Sequence, residues 1–130
     1  MVVDTSALIA IVLAESQAER LERAIARAPL RLVSAATLVE ADVVMFRRSG
    51  EAGVSALDAV LARLAPTVAV VAYAHVVIAR EAFRRYGKGR HPAALNFGDC
   101  FSYALAKERR EPLLFVGDDF SRTDVDPAAY

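Results

Sequence analysis

Short apolar runs that end in polar residues alternate along this chain with longer stretches of helical period, the pattern of a parallel sheet covered by helices. Four brief runs read as strands: Met1 to Val3, Arg31 to Val33, Thr67 to Val71 and Leu113 to Val116. Between the first two, Ser6 to Ala14 and Gln17 to Ala28 read as helices broken near Glu15 and Ser16, with Pro29 closing the second. Ser34 is a good N-cap for a helix from Ala35 to Arg48, whose apolar Leu38, Val39, Val43 and Phe46 share one face, read as its inner one. Gly50 ends that helix. Glu51 to Leu64 and Ala72 to Tyr86 supply two more, and a last helix opens at Asn96 or Gly98 and runs to about Arg109, with Pro112 before the final strand. The sum is an α/β domain. There is no internal repeat, low-complexity tract or long linker, and Gly87 to Ala94 is the only extended loop, so residues 1–130 are expected to form one domain.

Composition narrows the function classes. A chain of 130 residues, 55% of them hydrophobic, can fill one core without disulfides or metal clips. Sixteen basic residues balance sixteen acidic ones, so overall charge steers nothing toward nucleic acid and any attraction must be local. Cys100 is the single cysteine, which excludes an internal disulfide and suits a reducing compartment. It sits in the apolar-rich run Phe97 to Leu105 and reads as a buried thiol rather than a nucleophile. No basic region precedes the apolar stretch Ala7 to Ala14, so it is not read as a secretory signal. Neither it nor Val68 to Ala79 approaches the roughly 20 residues that cross a bilayer, and a soluble protein is expected.

The candidate chemistry lies in carboxylates. Asp4 follows the first strand and Asp118 and Asp119 follow the last, so all three should emerge at the carboxyl ends of parallel strands, where open α/β sheets place their sites. Glu40 falls about two turns into the helix after the second strand, and Asp99 in the first turn of the last helix. With right-handed crossovers these acids can converge on one edge of the sheet. Each also has a plain structural reading: Asp4 before Thr5 and Ser6 as an N-cap, Asp99 as a dipole partner, Glu40 and neighbouring Asp42 as solvated helix residues, Asp118 and Asp119 as a turn after Gly117. Convergence from four separate segments favours the functional reading. Clustered carboxylates repel, and a divalent cation is the economical remedy. Oxygen donors without thiolate or imidazole favour Mg²⁺ or Mn²⁺ over zinc. His75, in an apolar helix, and His91, in a basic loop, have no partner at ligand spacing.

Taken together, Val3-Asp4-Thr5-Ser6-Ala7-Leu8, Glu40 after the second strand, Asn96-Phe97-Gly98-Asp99-Cys100 and Leu113-Leu114-Phe115-Val116-Gly117-Asp118-Asp119-Phe120 resemble the PIN-domain VapC toxins of bacterial toxin–antitoxin pairs, over nearly the whole chain. The resemblance implies a three-layer α/β/α fold and Mg²⁺-dependent endoribonuclease activity on RNA, with Mn²⁺ as an alternative ion. It implies that Asp4, Glu40 and Asp99 belong to the metal site, with Asp4 and Asp99 the direct ligands. The fourth acid falls on Asp118 or Asp119, with Asp119 favoured, and Asp124 either assists or caps the tail. Thr5 or Ser6 would bond to a ligating carboxylate or to water on the metal. A homodimer and a VapB-type antitoxin whose tail reaches the acidic cleft are further implications, in the cytoplasm.

Arg80, Arg84, Arg85, Lys88 and Arg90 cluster before Asp99 in sequence; Arg85, Lys88 and Arg90 are candidate RNA contacts, the alternative being a solvated helix end. Tyr73, Phe83 and Tyr86 read as helix core in preference to interface. Two rival readings fit less well. A phosphoacceptor signalling domain, which also binds Mg²⁺, needs an aspartate after a middle strand, whereas the third strand here runs into Val71-Ala72-Tyr73. A catalytically idle PIN-like binding module is disfavoured by the intact acids.

Overall fold

The computed structural model describes residues 1–130. Its centre is a four-stranded parallel sheet in the order β3-β2-β1-β4, formed by β1 (Val2–Val3), β2 (Leu32–Ser34), β3 (Thr67–Ala69) and β4 (Leu113–Leu114). Successive strand residues face opposite sides, and the two sides feed two cores. Val2, Leu32 and Leu113 join one, with α4 (Tyr73–Tyr86) and α5 (Phe97–Arg109). Val3, Val33 and Leu114 join the other, with α1 (Thr5–Val12), α2 (Ala18–Arg27) and α3 (Ala35–Leu64). The result is the expected α/β/α layering. Full burial of a Leu or Ile contributes roughly 1.5–3 kcal/mol, and Leu8, Leu21, Ile25, Leu105 and Leu114 are buried completely. No helix is long and apolar enough to cross a membrane.

The third strand stops at Ala69, short of the expected Val71, because its pairing with β2 ends at Ser34, after which α3 begins. In α3, Ser34 caps as anticipated, its Oγ accepting from the Ala36 N–H at 3.3 Å. Gly50 (φ 59°, ψ −147°) breaks the helix where the sequence placed its end, a backbone conformation that favours glycine.

The inner face of α3 is not the expected one. Thr37, Ala41 and Met45 are buried, while Leu38 is half-buried and Val39, Val43 and Phe46 are exposed, Val39 at 65%. The inward stripe is chosen by fit rather than by apolarity: Thr37 finds the buried Ser102 hydroxyl at 3.0 Å, and Ala41 is small enough for close approach. A similar correction applies to α4, where Tyr86 is core but Tyr73 and Phe83 are exposed, the helix burying His75, Ala79 and Ala82 instead.

Candidate active site

The carboxyl ends of β1 and β4 and the first turns of α1 and α5 surround one open cleft of about 400 Å³. Asp4 is at once the N-cap of α1 and the most enclosed acid of the cleft: its Oδ2 accepts from the Ser6 N–H at 2.9 Å and from the Ser6 hydroxyl at 2.7 Å. Capping uses one oxygen only. The other, Oδ1, is buried without a hydrogen-bond partner. Ser6 Oγ in turn accepts from the Val116 N–H at 3.0 Å, which ties the start of α1 to the chain leaving β4.

Asp99 and Asn96 form a reciprocal capping box at the start of α5, with Asp99 Oδ2 accepting from the Asn96 N–H at 2.7 Å and Asn96 Oδ1 from the Asp99 N–H at 2.9 Å. Glu40 reaches the cleft from α3 and accepts a hydrogen bond from Thr5 Oγ1 at 2.5 Å. Asp119 completes the acids of the lining foreseen in the sequence, with Ile9, Val44 and Val116 as apolar wall and no Lys, Arg or His.

Charge repulsion and burial act on these groups together. Burial pushes Asp99 up to about 7, opposed by the Asn96 N–H and reinforced by Asp4, Glu40 and Asp119. Glu40 is raised for the same first reason, partly offset by the Thr5 hydroxyl and reinforced by Asp4. Such a cleft holds protons or a cation. The donors suit a hydrated divalent ion: hard oxygens, one of them orphaned, with no internal cation to compete. No three of the acids close into a ready-made ligand cage.

The PIN domain model matches residues 1–126. The chain belongs to the PIN domain family. Among its relatives are a ribonuclease VapC of Mycolicibacterium smegmatis, 51% identical over 96% of this chain and 97% of that protein. Ribonuclease VapC30 of Mycobacterium tuberculosis is 49% identical over 96% of this chain and 95% of its own, and VapC42 of the same species 45% identical over 98% of each. The crystal structure of Mycobacterium tuberculosis VapC20, a Sarcin-Ricin loop cleaving toxin, shares the fold with a TM-score of 0.77 at 21% identity, covering 95% of each chain.

Within this PIN domain the remaining candidates lie elsewhere. Asp118 is exposed and outside the cleft lining, its carbonyl accepting from Ser121 Oγ at 2.6 Å. Asp124 is engaged outside the cleft, further along α5, where it accepts from the Tyr103 hydroxyl at 2.5 Å and pairs with Lys107 at 3.5 Å and Arg85 at 3.7 Å. Arg85 also stacks over the Tyr86 ring, 4.9 Å from its centroid. Lys88 and Arg90 are exposed, and none of the three basic candidates lines the cleft. His75 Nδ1 accepts from the Ala72 N–H and His91 Nδ1 from the Ala93 N–H, both at 3.1 Å. Cys100 is buried, its thiol pushed up to about 11 by burial and then by Asp99.

Three features of the cleft escaped the sequence reading. Glu15, treated as a helix break, lines it. The Thr37–Ser102 hydroxyl pair locks α3 against α5 one turn from Glu40 and Asp99. Gly98 packs directly under the Glu40 carboxylate. Only small polar residues on otherwise apolar helix faces, Thr37 and Ser102, offered a signal.

Proposed function

We propose that this chain is an Mg²⁺-dependent endoribonuclease acting as the toxin of a toxin–antitoxin pair in the cytoplasm. The observation that carries the reading is the buried, unpartnered Oδ1 of Asp4 in a cleft lined by acids and by no cation. The relatives named ribonucleases, at about half identity over nearly the full chain, support the reaction class. Asp4 and Asp99 would hold the ion, with Glu40 and Asp119 completing the negative field. A divalent ion held there would supply the charge that activates water and stabilises the leaving oxygen in phosphodiester hydrolysis. Ser6 fixes the Asp4 rotamer through two hydrogen bonds and leaves Oδ1 without a partner, and Thr5 orients Glu40.

The exposed apolar face of α3 supports the partner reading. Val39, Val43 and Phe46 lie on the helix that carries Glu40, and neighbouring Val44 lines the cleft. A VapB-type antitoxin segment with an apolar face and a basic residue would cover that strip and answer the acids. A homodimer completes the proposed assembly.

The test is cleavage of mixed RNA by purified protein with Mg²⁺, Mn²⁺ or chelator, beside an Asp99→Asn variant that controls for contaminating ribonuclease. Metal-dependent cutting lost in the variant is the expected result. Equal cutting by both overturns the assignment, and metal binding without cutting by either favours an idle binding module.

A further inference from the structure

Glu40 belongs to α3, whereas Asp99 opens α5, and the two helices meet through small contacts. Thr37 and Ser102 share a hydrogen bond of 3.0 Å, and one turn later on α3 and one turn earlier on α5, Glu40 lies over Gly98. Gly98 is buried and helical, with no left-handed φ that would call for glycine. Gly98 stands in the first turn of α5, and at a position whose dihedrals alanine can adopt, replacing glycine by alanine is by itself stabilising because it restricts the unfolded chain. Something other than backbone conformation must therefore account for a side-chain-free position here.

A Cβ on Gly98 would stand closer than 3.0 Å to Oε1, Cδ and Oε2 of Glu40, and these carboxylate atoms are its three nearest neighbours. No backbone is among them. The space that a methyl group would fill is occupied by the carboxylate itself, whose Oε2 is held at 2.5 Å by Thr5 Oγ1. Added bulk at 98 would displace a flexible side-chain end and leave the helix crossing intact.

We propose that Gly98 is a positioning residue of the acidic cleft: its bare Cα is what admits the Glu40 carboxylate between α3 and α5, beside Thr5 and within the lining shared with Asp4 and Asp99. The role in catalysis rests on the nuclease reading above. The contact itself does not.

A double-mutant cycle tests both levels. In metal-free protein, Gly98→Ala should lower Tm when Glu40 is present and raise it in the Glu40→Ala background, where the overlap is gone and only the restriction of the unfolded chain by alanine remains. Mn²⁺ titration by calorimetry and RNA cleavage should then show Gly98→Ala weakened about as much as Glu40→Ala, with the double variant no worse than Glu40→Ala alone. Equal Tm changes in the two backgrounds overturn the contact. A reversal of Tm with wild-type Mn²⁺ affinity in Gly98→Ala overturns the positioning role. If the parent protein cuts no RNA, the nuclease reading fails, while the Tm and Mn²⁺ arms still decide for or against Gly98.

Discussion

Two aspartates, Asp99 in the first turn of α5 and Asp124 against Tyr103 and Lys107 further along it, show how one kind of side chain serves two purposes. Asp124 is surrounded by donors: burial alone would raise its pKa, but the Tyr103 hydroxyl, Lys107 and Arg85 outweigh that and hold it below the usual carboxylate range. Asp99 has only the Asn96 N–H on its side, faces Asp4, Glu40 and Asp119, and is pushed up to about 7. The molecule neutralises the first carboxylate from within. It gives the second no internal cation, and on that difference rests the proposal that one is a structural clasp and the other part of a metal site.

The sharpest way to break the comparison is to remove charge on the cleft side. Asp4→Asn or Asp99→Asn should lower RNA cleavage at least about 100-fold, since loss of ion-borne charge stabilisation amounts to several kcal/mol in the transition state. Circular dichroism should remain that of the parent. Asp124→Asn should keep the parent's cleavage rate and lose only stability, about 1 kcal/mol given its half-exposed side chain. Wild-type cleavage in both cleft variants would erase the distinction.

Thermal unfolding with and without Mg²⁺ sharpens it next. An ion bound only to the folded state adds about 2.7 kcal/mol at a hundredfold excess over Kd. That increment should persist in Asp124→Asn and largely vanish in Asp99→Asn. A full increment in Asp99→Asn would place the ion elsewhere.

The pH dependence of the metal-free protein follows from the same contrast. Asp99 is pushed up to about 7 in the folded state from an ordinary 3.8, so between these values the folded state binds more protons than the unfolded. Stability must then fall as pH rises through that window and level off above about 7. Glu40, also raised, adds in the same direction. Asp99→Asn should flatten the slope and raise the neutral-pH Tm by a few degrees, roughly what 1 kcal/mol does in a domain of this size. A metal-free Tm that climbs from pH 4 to 7 in the parent would contradict the burial, reinforced by neighbouring acids, that raises Asp99.

How much of this was legible in the sequence depended on how local each constraint is. Asp4 and Asp99 were readable because strand ends and first helical turns are set by neighbours within a few residues, and the layer order followed from strand runs buried on both faces. The α3 stripe was not, because Val39, Val43 and Phe46 have the same apolarity whether they face a core or a partner, and the decision rests on Thr37 meeting Ser102 across 65 residues. Asp118 and Asp119 differ only in how the chain turns after Gly117, at φ 104°. Gly98 was legible as a motif residue and a possible helix start but not as a packing site, since the neighbour it makes room for is another helix's carboxylate.

The smallest effect concerns the basic residues, and here the structure divides a group that the sequence treated as one. Arg85 is already committed to Asp124 and to the Tyr86 ring, so Arg85→Ala should loosen the clasp rather than the hold on RNA. Lys88 and Arg90 are exposed in the loop after α4 and take part in none of the ion pairs, which leaves their charges available to phosphate. Each phosphate contact on single-stranded RNA contributes about 0.7 to the slope of log binding constant against log salt. Lys88→Ala with Arg90→Ala should therefore shallow that slope by about 1.4, while Arg85→Ala leaves it near the parent value and lowers Tm. The inverse pattern would mean that Asp124 yields Arg85 to the RNA, and that the clasp and the site are not separate after all.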